Sequence, residues 1–182
     1  LINSKMTNFI NFITVARIFL APIILIFLIF GNYLICLLLF FLAGLTDYFD
    51  GYLARKYNAE SQLGEILDPI ADKILIVFIL IGLSVDLDSF LIAFLGSLII
   101  AREIGVSALR DYSSRNNKSH KTKVTYLAKI KTSVQLFSIG LYLFALAFSL
   151  NLLIIISDIF LIIATLISLY TGYEYTLNVF KK

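Results

Sequence analysis

Apolar residues fall in long blocks along this chain, and polar residues gather in the gaps between them. Six blocks approach the roughly 20 residues that an α-helix needs to cross a bilayer. They are Phe9–Phe30, Tyr33–Lys56, Gln62–Leu83, Phe90–Tyr112, Ala128–Phe148 and Leu152–Val179. The gaps are Gly31-Asn32, Tyr57 to Ser61, Ser84 to Ser89, Ser113 to Leu127, and Ser149 to Asn151. The pattern predicts an all-α polytopic membrane protein with six transmembrane helices. Residues 1–182 read as one membrane domain, with no room for a soluble one and no internal repeat. Phe9–Phe30 is too long for the apolar core of a secretory leader, and no small-residue cleavage site follows it. Leu1 is an unusual first residue, and Met6 is a candidate start.

Composition agrees. The chain is 60% hydrophobic and its mean hydropathy is +0.94, whereas soluble domains are about 45–50% apolar. The one cysteine, Cys36, lies in an apolar run and cannot form an internal disulfide. The net charge of +3 matters less than where the charges fall. Lys5, Arg55, Lys56, Arg110, Arg115, Lys118, Lys121, Lys123, Lys181 and Lys182 cluster at alternate ends of the blocks. The other connections hold no Lys or Arg, and Ser84 to Ser89 carries only Asp86 and Asp88. Basic residues flanking spans stay on the cytoplasmic side. Both termini, and the acidic run described next, are therefore expected in the cytoplasm. Nucleic acid is not an expected partner.

The second and third blocks carry Asp47-x2-Asp50-Gly51-x2-Ala54-Arg55-x8-Gly64-x3-Asp68-x3-Asp72. An aspartate at the centre of a span costs about 2.5–3.5 kcal/mol on insertion scales. Four of them call for a compensating charge, and divalent metal supplies it most simply. Each helical residue turns about 100°. Relative to Asp47, Asp50 lies at about −60°, Gly51 at about 40°, Ala54 at about −20° and Arg55 at about 80°, all on one side of the helix. Gly64, Asp68 and Asp72 form an i, i+4, i+8 stripe on the next helix. Two adjacent helices can thus turn four carboxylates together. Oxygen-only ligands suit Mg²⁺ or Mn²⁺ over zinc or copper. Four carboxylates are enough for two divalent cations and a base. Gly51, Ala54 and Gly64 clear bulk for a phosphorylated ligand, and Arg55 can grip phosphate as a fork.

Taken singly, these residues have ordinary readings. A lone aspartate can bond a neighbouring helix. Asp68-Pro69 suits a helix start, and glycines in membrane helices often mark close packing. The set as a whole resembles, position for position, the signature of the CDP-alcohol phosphotransferase family. Further similarities run through most of the chain: Asn8, Asn11, Thr14 and Arg17 near the start; Ile100-Ala101-Arg102-Glu103 to Leu109-Arg110; Lys129-Ile130-Lys131-Thr132 with Gln135; and Gly172-Tyr173-Glu174-Tyr175. These resemble the bacterial branch that uses glycerol 3-phosphate as acceptor. Phe9, Ile10 and Ile13 depart from that branch's usual opening.

The resemblance implies a six-helix enzyme of the inner membrane, usually a homodimer, that moves the phosphatidyl group of CDP-diacylglycerol to glycerol 3-phosphate and releases CMP. It implies Asp47, Asp50, Asp68 and Asp72 as ligands of two divalent cations, Mg²⁺ or Mn²⁺, with Asp72 also the general base. It implies Asp50, Gly51, Ala54, Arg55 and Gly64 around the CDP moiety, within a lipid environment.

The acceptor's phosphate is expected on Arg102, Arg110, Lys131 and Arg17. Arg102 and Arg110 lie about 80° apart on one helix and can face one pocket. Lys131 and Gln135 stack at i, i+4, while Lys129 points about 200° away from Lys131. Lys118, Lys121 and Lys123 read as cytoplasmic-end charges and His120 as a solvated loop residue. Glu103 reads as an ion-pair partner, and Asp158 has no partner visible in the sequence. Two other functions fit parts of the pattern. One is the same chemistry with inositol phosphate, serine or phosphatidylglycerol as acceptor. The other is a small cation channel or transporter with an acidic midspan site, which would not need Arg55.

Overall fold

The computed structural model describes residues 2–57, 59, 61–115 and 126–180. Six helices follow in order: α1 (Ile2–Ile29), α2 (Tyr33–Tyr57), α3 (Gln62–Asp86), α4 (Phe90–Arg115), α5 (Tyr126–Ala147) and α6 (Asn151–Phe180). Among the described residues there is no strand. Each apolar block became one helix, and most helices run beyond the block. α1 begins at Ile2 rather than Phe9, and α4 continues to Arg115. Helical hydrogen bonds do not need apolar side chains, so polar turns extend past the segment that lipid would cover.

Five helices are long and apolar enough to cross a membrane: Met6–Ile29, Tyr33–Tyr57, Phe90–Arg115, Ile130–Ala147 and Asn151–Phe180. α3 carries Asp68, Asp72, Lys73 and Asp86, and it packs on α1, α4 and α5. Asp68, Lys73 and Asp86 are half-buried there, while Asp72 is exposed. α1 also packs on α2, α2 on α5, and α6 on both α4 and α5.

Three tight connections share one device. Gly31 N–H donates to the Leu28 carbonyl at 2.9 Å and Asn32 N–H to the Phe27 carbonyl at 2.9 Å. This is the paired pattern that closes a helix through a left-handed residue, and Gly31 has φ 70. Asp88 (φ 46) and Ser149 (φ 55) take the same place after α3 and α5. Ser89 N–H reaches the Ser84 carbonyl at 3.0 Å, and Leu150 N–H reaches the Ala145 carbonyl at 2.8 Å. The connection from α2 to α3 differs. Ser61 caps α3 by accepting from Gly64 N–H at 3.0 Å. Asp68-Pro69 is therefore not a helix start, because Pro69 lies inside α3.

The core draws on all six helices, with Ile24, Leu37, Ile79, Ile99, Leu143 and Leu161 buried together. α1 and α3 meet closely at Gly82, where a Cβ would lie 2.8 Å from Leu25 Cδ1. Asp158 finds a partner here: the Tyr142 hydroxyl donates to it at 2.5 Å. Large apolar side chains such as Phe12, Phe19, Phe30, Leu38 and Phe90 face outward, as lipid contact requires. Lys118, His120, Lys121, Lys123, Lys181 and Lys182, and the side chains of Lys5 and Lys129, lie outside the described residues.

Candidate active site

The four aspartates meet around a residue of α1. Arg17 is 1% exposed. Its Nη1 donates to Asp47 at 2.7 Å and to Asp72 at 2.9 Å, and its Nη2 donates to Asp50. One turn earlier, Thr14 places its hydroxyl 3.0 Å from Asp68 and 3.4 Å from Asp50. Thr14 and Arg17 share a face of α1 at i, i+3. α1 thus ties the α2 pair of carboxylates to the α3 pair. Asp50 is 3% exposed, whereas Asp47 and Asp72 are each 51% exposed, so the latter two remain open to a ligand. The Arg17 Nε is buried without a partner.

A cavity of about 540 Å³ opens beside this cluster. Asp50, Gly51, Ala54, Arg55, Gly64 and Asp68 all line it, together with Asn11 and Ser61. Every residue expected around the CDP moiety therefore borders one space. Arg55 is exposed. Gly64 has a local reason as well: a Cβ there would sit 3.1 Å from Ser61 Oγ and 3.2 Å from Asn11 Oδ1. Those two side chains bond each other at 2.8 Å and join α1 to the α2–α3 connection.

Asp72 also lines two spaces on the other side. One is an apolar cleft of about 340 Å³, with Phe40, Phe41, Gly44 and Leu136 in its wall and Arg17, Asp47 and Asp72 at its polar end. The other, of about 320 Å³, lies between α3, α4 and α5. Its polar members are Asp72, Lys73, Glu103, Lys131, Thr132 and Gln135.

The four expected acceptor-phosphate residues do not converge. Lys131 lines the second space and pairs with Glu103. Arg102 stands behind it. Its Nη1 donates to Glu103 at 2.9 Å, its Nε to the Ser168 carbonyl at 3.0 Å and its Nη2 to Thr171 at 3.0 Å. The contacts to Ser168 and Thr171 clamp α4 to α6. Gly172 makes room for the clamp, since a Cβ there would lie 3.0 Å from Arg102 Cγ. Arg110 is exposed and reaches the Tyr175 hydroxyl at 3.4 Å. Arg17 is held by carboxylates. Glu103 is the ion-pair partner expected from the sequence, now of two cations.

Sequence reasoning passed over Lys73, which follows Asp72 directly and donates to the Ser107 hydroxyl. A cation within an apolar block was the signal available for it. Gln135, 2% exposed, has its amide nitrogen buried and unpartnered. An orphaned donor of this kind costs about 1–3 kcal/mol.

Among the described residues no three acidic side chains form a cluster that would hold a metal ion as they stand, and Arg17 is the cation between them. The donor chemistry nevertheless fits hard divalent cations: all four side chains offer oxygen only, and four carboxylates outnumber one guanidinium.

The sequence that builds this site has relatives among known proteins. Residues 7–170 match the CDP-alcohol phosphatidyltransferase family, and the chain belongs to it. Its relatives include proteins named CDP-diacylglycerol–glycerol-3-phosphate 3-phosphatidyltransferase. That of Rickettsia typhi is 39% identical over 178 residues, covering 93% of this chain and 96% of the relative. That of Rickettsia felis is 40% identical over 176 residues, covering 92% and 93%. That of Haemophilus influenzae is 34% identical over 171 residues, covering 90% and 89%.

Proposed function

We propose that this chain transfers the phosphatidyl group of CDP-diacylglycerol to sn-glycerol 3-phosphate and releases CMP. The observation that carries the reading is the position of Asp72. It lines both the apolar cleft and the cavity between α3, α4 and α5, and through Arg17 it is joined to Asp47 and Asp50. The cytidine diphosphate lies in the cavity of Gly51, Ala54, Arg55 and Gly64, the acyl chains lie toward the apolar cleft, and the acceptor enters from the α3–α4–α5 side. Glycerol 3-phosphate as acceptor follows from the names of the relatives.

In the reaction an acceptor hydroxyl attacks the phosphorus esterified to diacylglycerol. A new P–O bond forms and the P–O bond to CMP breaks, with CMP leaving on the electron pair. Asp72 takes the hydroxyl proton, a role worth about 10²–10⁴-fold. Arg55 holds the donor's phosphates. Lys131, with Arg102 behind it and Arg110 farther along α4, supplies positive charge for the acceptor's phosphate, and Arg17 adds charge at Asp72. Asp47, Asp50, Asp68 and Asp72 would hold two divalent cations, Mg²⁺ or Mn²⁺, whose charge would neutralise the diphosphate and the developing negative charge. The same reading places both termini and the site on the cytoplasmic side of the inner membrane, in a homodimer surrounded by lipid.

Purified protein with CDP-diacylglycerol and Mg²⁺ or Mn²⁺ would be offered glycerol 3-phosphate, inositol 1-phosphate and serine in turn. Release of CMP with glycerol 3-phosphate well above the other two is expected. Preference for either alternative would reassign the acceptor. Cation uptake into vesicles without lipid turnover would replace the enzymatic reading.

A further inference from the structure

Of the four aspartates, Asp68 is the one that Arg17 does not reach. Arg17 pairs with Asp47, Asp50 and Asp72. Among the described residues the only hydrogen-bond donor to Asp68 is the Thr14 hydroxyl, 3.0 Å from its Oδ1. Thr14 is fully buried, and its hydroxyl carries one proton to give. Three acceptors surround it: the Ile10 carbonyl at 3.3 Å, Asp50 Oδ2 at 3.4 Å and Asp68 Oδ1 at 3.0 Å. Asp68 is the nearest and takes the proton. Its other oxygen, Oδ2, accepts no hydrogen bond from the described residues, and Asp68 lines the donor cavity beside Asp50. A carboxylate fixed through one oxygen and open at the other can take up a cation without first losing an ion pair.

The helix that carries Thr14 is pinned on both sides of it. Arg17, three residues on, is bound to α2 and α3. Asn11, three residues before, accepts from Ser61 Oγ at the start of α3 at 2.8 Å. Thr14 is thus held facing Asp68.

We propose that Thr14 is a positioning residue for the divalent-cation site: its hydroxyl sets the orientation of Asp68 and leaves that carboxylate's charge uncancelled. This inference rests on the metal reading of the proposed function and deepens it, with a residue of α1 that lies outside the aspartate pattern. A neutral donor suits the place better than a second arginine would. A cation bound to Asp68 would compete with the metal, whereas a hydroxyl orients the carboxylate without neutralising it. Partners of this kind, one step behind the ligands, alter metal affinity about 10–100-fold when they are removed.

The test uses the full chain in detergent. Binding of Mn²⁺ is measured by electron paramagnetic resonance without substrate. The Mg²⁺ concentration that half-activates CMP release is measured with CDP-diacylglycerol and glycerol 3-phosphate. Thr14→Val keeps the branched shape and loses the donor. It should raise both the Mn²⁺ dissociation constant and the half-activating Mg²⁺ concentration about tenfold or more, with turnover at saturating Mg²⁺ close to wild type. Thr14→Ser keeps the hydroxyl and should restore both values. A purely structural hydroxyl would lower the unfolding temperature in chelator and leave Mn²⁺ affinity unmoved. Should Thr14→Val fail to fold, Thr14→Cys, a weak donor of similar size, decides. Wild-type Mn²⁺ affinity in the folded variant, or an affinity in Thr14→Ser as poor as in Thr14→Val, would overturn the proposal. A wild-type chain that binds no Mn²⁺ would overturn the metal reading itself, and this inference with it.

Discussion

Arg17 of α1 pairs with Asp50 of α2 in a setting that leaves them 1% and 3% exposed. Removing one member of a buried pair strands the other, at a cost of about 3–5 kcal/mol. Arg17→Gln should therefore unfold at a clearly lower temperature than wild type in excess chelator, measured by thermal unfolding in detergent. Asp50→Asn in the same background should recover part of the loss, since it removes the stranded charge. Equal unfolding temperatures for wild type and Arg17→Gln would mean that α1 does not depend on this contact.

Metal dependence follows from the imbalance of four carboxylates against one guanidinium. Chelator should abolish CMP release, and Mg²⁺ or Mn²⁺ should restore it. Asp47→Asn and Asp68→Asn should each lower turnover on the order of a hundredfold or more, since a bound cation contributes several kcal/mol to the transition state. Full activity in excess chelator would exclude a metal role for these side chains.

Base and donor grip are separable. Asp72→Asn should bind CDP-diacylglycerol nearly as well as wild type while losing about 10²–10⁴-fold in kcat. Arg55→Ala should instead raise the KM for CDP-diacylglycerol, because Arg55 lines the cavity assigned to the diphosphate. Normal turnover in Asp72→Asn would remove the base assignment.

The two α4 arginines should part company. Arg102 has two partners that tie α4 to α6, so Arg102→Ala should destabilise the fold by about 1–3 kcal/mol. Arg110 is exposed with a 3.4 Å contact to Tyr175, so Arg110→Ala should unfold like wild type. In that variant a rise of about tenfold in the KM for glycerol 3-phosphate is expected, from loss of one charge-assisted contact. An unchanged KM would leave Arg110 outside the acceptor site.

Hydropathy made the six helices legible, because lipid leaves the backbone no alternative to helix or closed barrel. The i, i+4, i+8 spacing likewise put Gly64, Asp68 and Asp72 on one face before any coordinates. What the sequence could not show was which helix would supply the counter-charge. Arg17 is 30 residues from Asp47 and 55 from Asp72, and only tertiary packing of α1 against α2 and α3 brings them together. The same applies to Arg102. Its place in the chain suggested a phosphate ligand, while its partners Ser168 and Thr171 lie 66 and 69 residues away. The pairing of Tyr142 with Asp158 was hidden for a related reason. It joins α5 to α6 across a tight turn, and an aspartate's helix position does not reveal which neighbour will face it.

Transfer of the phosphatidyl group to glycerol 3-phosphate can be followed with acceptor labelled in its carbon skeleton and incubated with the purified chain, CDP-diacylglycerol and Mg²⁺. The label should pass into an organic-soluble phospholipid in equal amount to the CMP released, and Asp72→Asn should stop both. Release of CMP without labelled lipid, or labelled lipid formed equally well by Asp72→Asn, would contradict the account.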